Sequence, residues 1–238
     1  MLERFQIFDK ELETLIDEKT LISTINAYSY NVSFKDKLFK EALQNSDVLI
    51  PDGIGVVWAV RLLTGKKIKK IAGADLFFYE MERLQNTEGK CFFLGSTNET
   101  LTKIVKRASI EYPNVELQTY SPPYKPEFSE EDNKIMIEKI NSFQPDVLFV
   151  GMTAPKQEKW AYINFNSLQA GHVCSIGAVF DFYAGTVTRA PNWMIRIGLE
   201  WFYRLVKEPK RMWRRYLIGN TIFVLQILRE KYLQTNRK

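Results

Sequence analysis

One local pattern recurs along the middle of the chain: a short continuous apolar run, a turn with a glycine or other small residue, then a helical pattern. Asp47-Val-Leu-Ile-Pro-Asp-Gly leads into a helical stretch at 54–63, and Lys90-Cys-Phe-Phe-Leu-Gly leads into one at 96–112. Asp146-Val-Leu-Phe-Val-Gly precedes a stretch at 155–165, and His172-Val-Cys-Ser-Ile-Gly precedes one at 178–183. Apolar runs without polar alternation are strands covered on both faces. Their alternation with helices predicts an α/β fold, a Rossmann-like and mostly parallel sheet with helices on both faces. Ser96 with Glu99 three residues on reads as a capping pair, and Pro155 suits a first helical turn. Cys91 and Cys174 lie inside apolar runs and read as buried strand thiols rather than a disulfide or metal site.

Parallel sheets bind ligands at the carboxyl ends of their strands, so the residues just after the runs are the candidates. Asp52, followed by Gly53, is presented by a sharp turn, either as a general base or substrate ligand or as an N-cap of the next helix. Thr24 and Asn26 end the run 21–25 and read as site residues or as an Asx-type turn. Lys156 and Gln157 open a helix, where the dipole favours an anion, or are plain first-turn polarity. Asp181, flanked by aromatics, bonds a ligand or a backbone turn. The segment 117–128 (LQTYSPPYKPEF) reads as an ordered loop over the sheet, and Glu11 and Glu13 as part of a solvated acidic helix.

After Ala190-Pro191 the pattern turns to helices only, which divides the chain into a body at 1–190 and a C-terminal helical, basic appendage at 191–238. From Arg189 on there are twelve Lys and Arg against three Glu, in a chain whose net charge is +5. The body is therefore mildly acidic. Trp193, Trp201, Phe202, Tyr203, Trp213, Tyr216 and Phe223 are interleaved with the cations. A basic, aromatic tail suits anionic lipid first and nucleic acid second. Glu208-Pro209 breaks the tail helix, and Trp193, Ile197 and Trp201 form a stripe on its first part. The stretch 216–228 is too short to span a bilayer, and the first twenty residues show no secretory h-region. There is no GxGxxG fingerprint, P-loop, paired-cysteine zinc spacing or Asp-x-Asp, and the single histidine, His172, makes Ser-His-Asp catalysis a poor fit. Arginine is then the natural group to meet a diphosphate, through its planar fork of donors. Arg204, Arg211 and Arg215, with Arg214 beside them, supply that fork or form a solvated face.

Together the pieces Thr24-Ile-Asn26, Pro51-Asp52-Gly53-Ile-Gly55, Ala72-Gly73-Ala-Asp75, Phe93-Leu-Gly95, Pro155-Lys-Gln157-Glu158, Gly177-Ala-Val-Phe-Asp181, Arg189-Ala-Pro191, Glu200-Trp-Phe-Tyr-Arg204 and Glu208-Pro-Lys-Arg211 resemble the WecG/TagA/CpsF glycosyltransferases. The match runs from about residue 5 to 230 in order and spacing. The resemblance implies an inverting transferase that needs no metal or cofactor. It would move N-acetylmannosamine or a related sugar from a UDP-sugar donor to a polyprenyl-diphosphate-linked GlcNAc-type acceptor, in cell-surface polysaccharide or teichoic acid synthesis. Donors of a glucose or uronic acid type occur among relatives. It places the base on Asp52, active-site partners on Thr24 and Gln157, further substrate contacts on Asn26, Gly53, Gly95, Lys156 and Asp181, and the diphosphate-holding arginines on Arg204, Arg211 and Arg214. It also implies homo-oligomers, no nucleic acid partner, and a cytoplasmic enzyme peripheral to the inner face of the cell membrane. Two loops depart from the family: Pro123-Tyr124-Lys125 stands where Gly-Tyr-Phe is common, and Gly151-Met-Thr-Ala lacks a second glycine.

Overall fold

The computed structural model of the chain describes residues 2–236. Six strands form one sheet: β1 (Thr20–Ile25), β2 (Val48–Pro51), β3 (Lys90–Gly95), β4 (Glu116–Tyr120), β5 (Val147–Gly151) and β6 (His172–Ser175). Their order is β2-β1-β6-β5-β3-β4, and every pairing is parallel. The connection leaving β5 runs to β6 on one side and that leaving β3 runs to β4 on the other. Such a divergence opens a crevice at the carboxyl ends.

The helices of the body are α1 (Ala27–Ser33), α2 (Lys37–Gln44), α3 (Ile54–Thr64), α4 (Gly73–Thr87), α5 (Asn98–Glu111), α6 (Glu130–Phe143), α7 (Lys156–Asn164) and α8 (Ala178–Tyr183). Side-chain alternation in the strands sends Ile22, Ile50, Cys91, Phe93, Val147, Phe149 and Cys174 to one face, under α4, α5 and α8. Leu21, Phe92, Leu94, Leu148, Val150 and Val173 face α6 and α7 on the other. Phe93 stacks on Phe149 at 5.6 Å and meets Phe180 edge-on at 5.5 Å, which seats α8 on the sheet. Each such ring contributes roughly 1.5–3 kcal/mol by its burial. Gly151 is required there, since a Cβ would lie 2.4 Å from the Phe180 ring.

Three local expectations are corrected. Segment 117–128 is not all loop: Glu116–Tyr120 is the edge strand β4. The α5 cap is Thr97, whose side chain accepts from the Thr100 N–H, while Ser96 takes a left-handed φ of 56°. Glu13 lies in a three-residue 3-10 turn, Leu12–Thr14, with Glu11 as its N-cap, and Glu11 pairs with Lys69. Both cysteines are buried and free, as read.

The tail continues as α9 (Asn192–Arg196), α10 (Glu200–Lys207), α11 (Pro209–Trp213), a π-helical turn (Arg214–Ile218) and α12 (Gly219–Thr235). Pro209 occupies the first turn of α11, as its missing N–H dictates. Gly198, at φ +78°, separates α9 from α10, so the stripe of Trp193, Ile197 and Trp201 is not one helix face. Trp193 and Ile197 are each 61% exposed. α12 instead packs inward through Phe223 and Ile227, against Tyr30 of α1 and Val56, Val60 and Leu63 of α3. Tyr30 meets Phe223 edge-on at 5.2 Å. The Glu230 carboxylate accepts from the Tyr30 hydroxyl and from the Leu2 N–H, both at 3.0 Å. No helix among the described residues is long and apolar enough to cross a membrane.

Candidate active site

Asp52 leaves β2 with its N–H on the Ile25 carbonyl, 2.9 Å away. The residue that caps α3 is Gly53, at φ +112°, and no side chain caps that helix. The Asp52 carboxylate thus has no capping duty, and it accepts no hydrogen bond among the described residues. Burial and the neighbouring Glu200 carboxylate push its pKa up to about 6, against the opposing pull of Lys70, Arg204 and Arg215. A carboxylate raised this way and short of donors is suited to taking a proton.

Thr24 is buried on β1 beside Ile50 of β2, two positions before Asn26. Asn26 is the N-cap of α1, its Oδ1 accepting from the Ser29 N–H at 3.0 Å, so the turn reading holds for its carbonyl. Gly95, at φ +120°, lies where a Cβ would sit 2.4 Å from the Gly151 carbonyl oxygen, which gives this glycine a backbone reason of its own. Lys156 is drawn away to the 121–128 segment: its Nζ donates to the Lys125 carbonyl and lies 3.5 Å from the Phe128 ring centroid. Gln157 is 5% exposed, with one partner at each end of its amide and one Nε2 donor free among the described residues. Its Oε1 accepts from the Gly177 N–H at 3.1 Å and its Nε2 donates to Glu158 Oε1 at 2.9 Å. Asp181 is half-buried on α8; burial raises its pKa, and Arg211 and Arg204 oppose the rise.

The tail arginines divide. Arg204 is half-buried over the Phe182 ring at 5.0 Å, and its field reaches both Asp52 and Asp181. Arg211 is exposed and paired with Glu208 at 2.7 Å. Arg214 is exposed beside its neighbour Trp213, at 5.2 Å. The residue that faces the site is Arg215, 4.3 Å over the Tyr28 ring, whose charge acts on both Asp52 and Glu158. The Nε atoms of Arg204 and Arg215 are buried without a hydrogen-bond partner. Two such guanidinium groups beside a strand-end carboxylate form a site with unspent donors, which an anion of the diphosphate type would satisfy. Sequence reasoning missed Lys70, Glu158 and Glu200 as parts of this site. Glu158 and Glu200 stood inside recognised motifs, and only their burial or their neighbours distinguish them. No group of three or more His, Cys, Asp or Glu able to hold a metal ion occurs among the described residues.

A family model for the glycosyl transferase WecG/TagA/CpsF family matches residues 4–237. The chain belongs to this family. It is 36% identical over 220 residues to an N-acetylglucosaminyldiphosphoundecaprenol N-acetyl-beta-D-mannosaminyltransferase of Bacillus subtilis, covering 91% of this chain and 82% of that one. Proteins of the same name match from Bacillus spizizenii, at 29% identity over 91% of this chain and 86% of that one, and from Staphylococcus aureus, at 26% over 97% and 87%. This WecG/TagA/CpsF member is a glycosyltransferase, and its parallel α/β body is the scaffold read from its sequence.

Proposed function

We propose that this glycosyltransferase moves N-acetylmannosamine, or a closely related sugar, from a UDP-sugar to a polyprenyl-diphosphate-linked N-acetylglucosamine. The names of its relatives support the acceptor and the sugar. The observation that carries the chemistry is the unbonded Asp52 carboxylate, set between Glu200 and the tail cations Arg204 and Arg215. In a single displacement the acceptor hydroxyl oxygen attacks the anomeric carbon while its proton passes to Asp52. The bond to the UDP oxygen breaks, and that oxygen leaves with the electron pair. Arg204 and Arg215 neutralise the charge that grows on the leaving diphosphate, and Arg211 and Arg214 stand further out for a second anionic group. Thr24 and Gln157 hold the sugars. Residues 191–238 act as an appendage that brings the cations to the body. They also rest the enzyme on the inner face of the cytoplasmic membrane, where a prenyl acceptor lies.

UDP release from UDP-N-acetylmannosamine, with and without a short-chain prenyl-diphosphate-GlcNAc acceptor and with EDTA throughout, tests the reading. Acceptor-dependent release that survives EDTA is expected. Release only with a glucose-type or uronic acid donor would reassign the sugar. Failure with every donor would sink the proposal.

A further inference from the structure

We propose that Glu158 is a positioning residue for the transfer, acting through the side-chain amide of Gln157; this rests on the transferase reading above. Glu158 lies in the first turn of α7, where a carboxylate is normally solvated, yet it is 2% exposed. Its Oε1 accepts from Gln157 Nε2, and its Oε2 is buried with no hydrogen-bond partner among the described residues. Folding gains little from a carboxyl held this way, because an open valence in a buried acid is destabilising. What the arrangement does achieve is to fix one amide. An anionic carboxylate only accepts, so it holds the Gln157 nitrogen on its own side and the Gln157 carbonyl on the Gly177 N–H. There is little slack at the other end, since a Cβ on Gly177 would lie 2.4 Å from Gln157 Oε1. The amide beside the strand-end crevice is thereby defined in both orientation and place.

The charged groups around Glu158 leave it under the influence of the tail. On its own helix, Lys156 is turned to Phe128 and Lys125, and Lys159 is paired with Asp36, the N-cap of α2, at 2.9 Å. The adjoining strands β1, β5 and β6 carry two titratable groups: His172, bound to Glu80 on α4, and Cys174, a buried free thiol whose burial pushes its pKa up and which faces α4, α5 and α8. The facing cation is Arg215. Burial pushes the Glu158 carboxyl up to about 7; the hydrogen bonds it accepts and Arg215 oppose this. Near neutral pH it therefore exchanges between an anion, which grips the amide through a charge-assisted bond, and a neutral acid, which grips it less.

The decisive measurement is kcat/KM against pH for the parent, Glu158→Gln, Gln157→Ala and the double variant, with UDP-N-acetylmannosamine and the short-chain acceptor. The parent should show two ionisations on the acid side, near those of Asp52 and Glu158. Glu158→Gln is isosteric and should fold; it should lose the upper ionisation and about fivefold in kcat at pH 8, the difference between a charge-assisted and a neutral hydrogen bond. The double variant should be no slower than Gln157→Ala alone, because the two act as one unit. A Glu158→Gln profile with the parent's shape, or a double variant that multiplies the single losses, overturns the proposal while leaving the transferase intact. A parent without acceptor-dependent transfer overturns both. Should Glu158→Gln fail to fold, Glu158→Asp, which keeps the acid but withdraws it from the amide, carries the same comparison with Gln157→Ala.

Discussion

Asp52 neither caps a helix nor accepts a hydrogen bond among the described residues, so burial and charge set its hold on a proton. Replacing it by Asn changes no contact of the fold. Asp52→Asn should lower kcat at least ~100-fold, the usual size of general-base effects, with the unfolding temperature unchanged or higher at pH 8. The sign follows from linkage: its folded pKa is raised from 3.8 to about 6. Its favourable contribution is complete below the unfolded value and is lost as pH rises through about 6, so the ionised group is a mild burden above that. In the parent, kcat/KM should fall as pH drops through about 6, because the base is then protonated. The Pro51-Asp52-Gly53 turn made this residue legible from spacing, since Gly53 adopts a backbone angle that side chains avoid. Glu158 was not legible in that way. First-turn acids look alike in sequence, and its burial comes from elements distant along the chain.

In the tail, helical spacing groups Arg204, Arg211 and Arg215 with Arg214 beside them, while the family resemblance puts Arg214 in the diphosphate-holding role. A fixed 3.6-residue period makes Arg204, Arg211 and Arg214 or Arg215 interchangeable within a turn. The wide turn at Arg214–Ile218 leaves Arg214 outward, beside Trp213, and brings Arg215 over Tyr28. Wide turns of this kind recur at functional sites. Arg215→Gln should therefore cost more kcat than Arg214→Gln, by at least about tenfold if a single charge-assisted contact to the leaving group is lost. Equal effects in steady-state assays would return Arg214 to the site. The body strands were legible because runs buried on both faces need no partner information, whereas β4, half-exposed at the sheet edge, lacked a continuous run. α12 depends on Tyr30 and Glu230 for its seat. Tyr30→Phe removes one hydrogen bond to the Glu230 carboxylate, which keeps the Leu2 N–H, at a cost of about 1.5–3 kcal/mol for a bond to a charged group. Faster amide exchange along α12 and a lower kcat are expected; an unchanged exchange pattern would mean that packing alone holds the helix.

Taken as one body, the molecule gathers its excess positive charge and most of its exposed large apolar side chains in the same segment, 191–238. Trp193, Ile197, Phe202, Val206, Leu217 and Leu225 are all exposed there, among most of the chain's excess positive charge. Binding to vesicles containing anionic lipid is expected, weakening as salt rises and the Debye length shrinks below about 8 Å. Trp193→Ala with Ile197→Ala should weaken sedimentation with vesicles and leave transfer to a soluble short-chain acceptor near the parental rate. Loss of both would place these side chains in the catalytic machinery. The seam where Leu2 meets Glu230 joins positions 228 residues apart. During synthesis the strands and Asp52 are laid down first, at roughly 5–20 residues per second. The cations proposed to help the leaving group come after every strand, and they are seated only once α12 has emerged and packed on α1 and α3. A ribosome-tethered chain would hold a finished scaffold that is still catalytically silent.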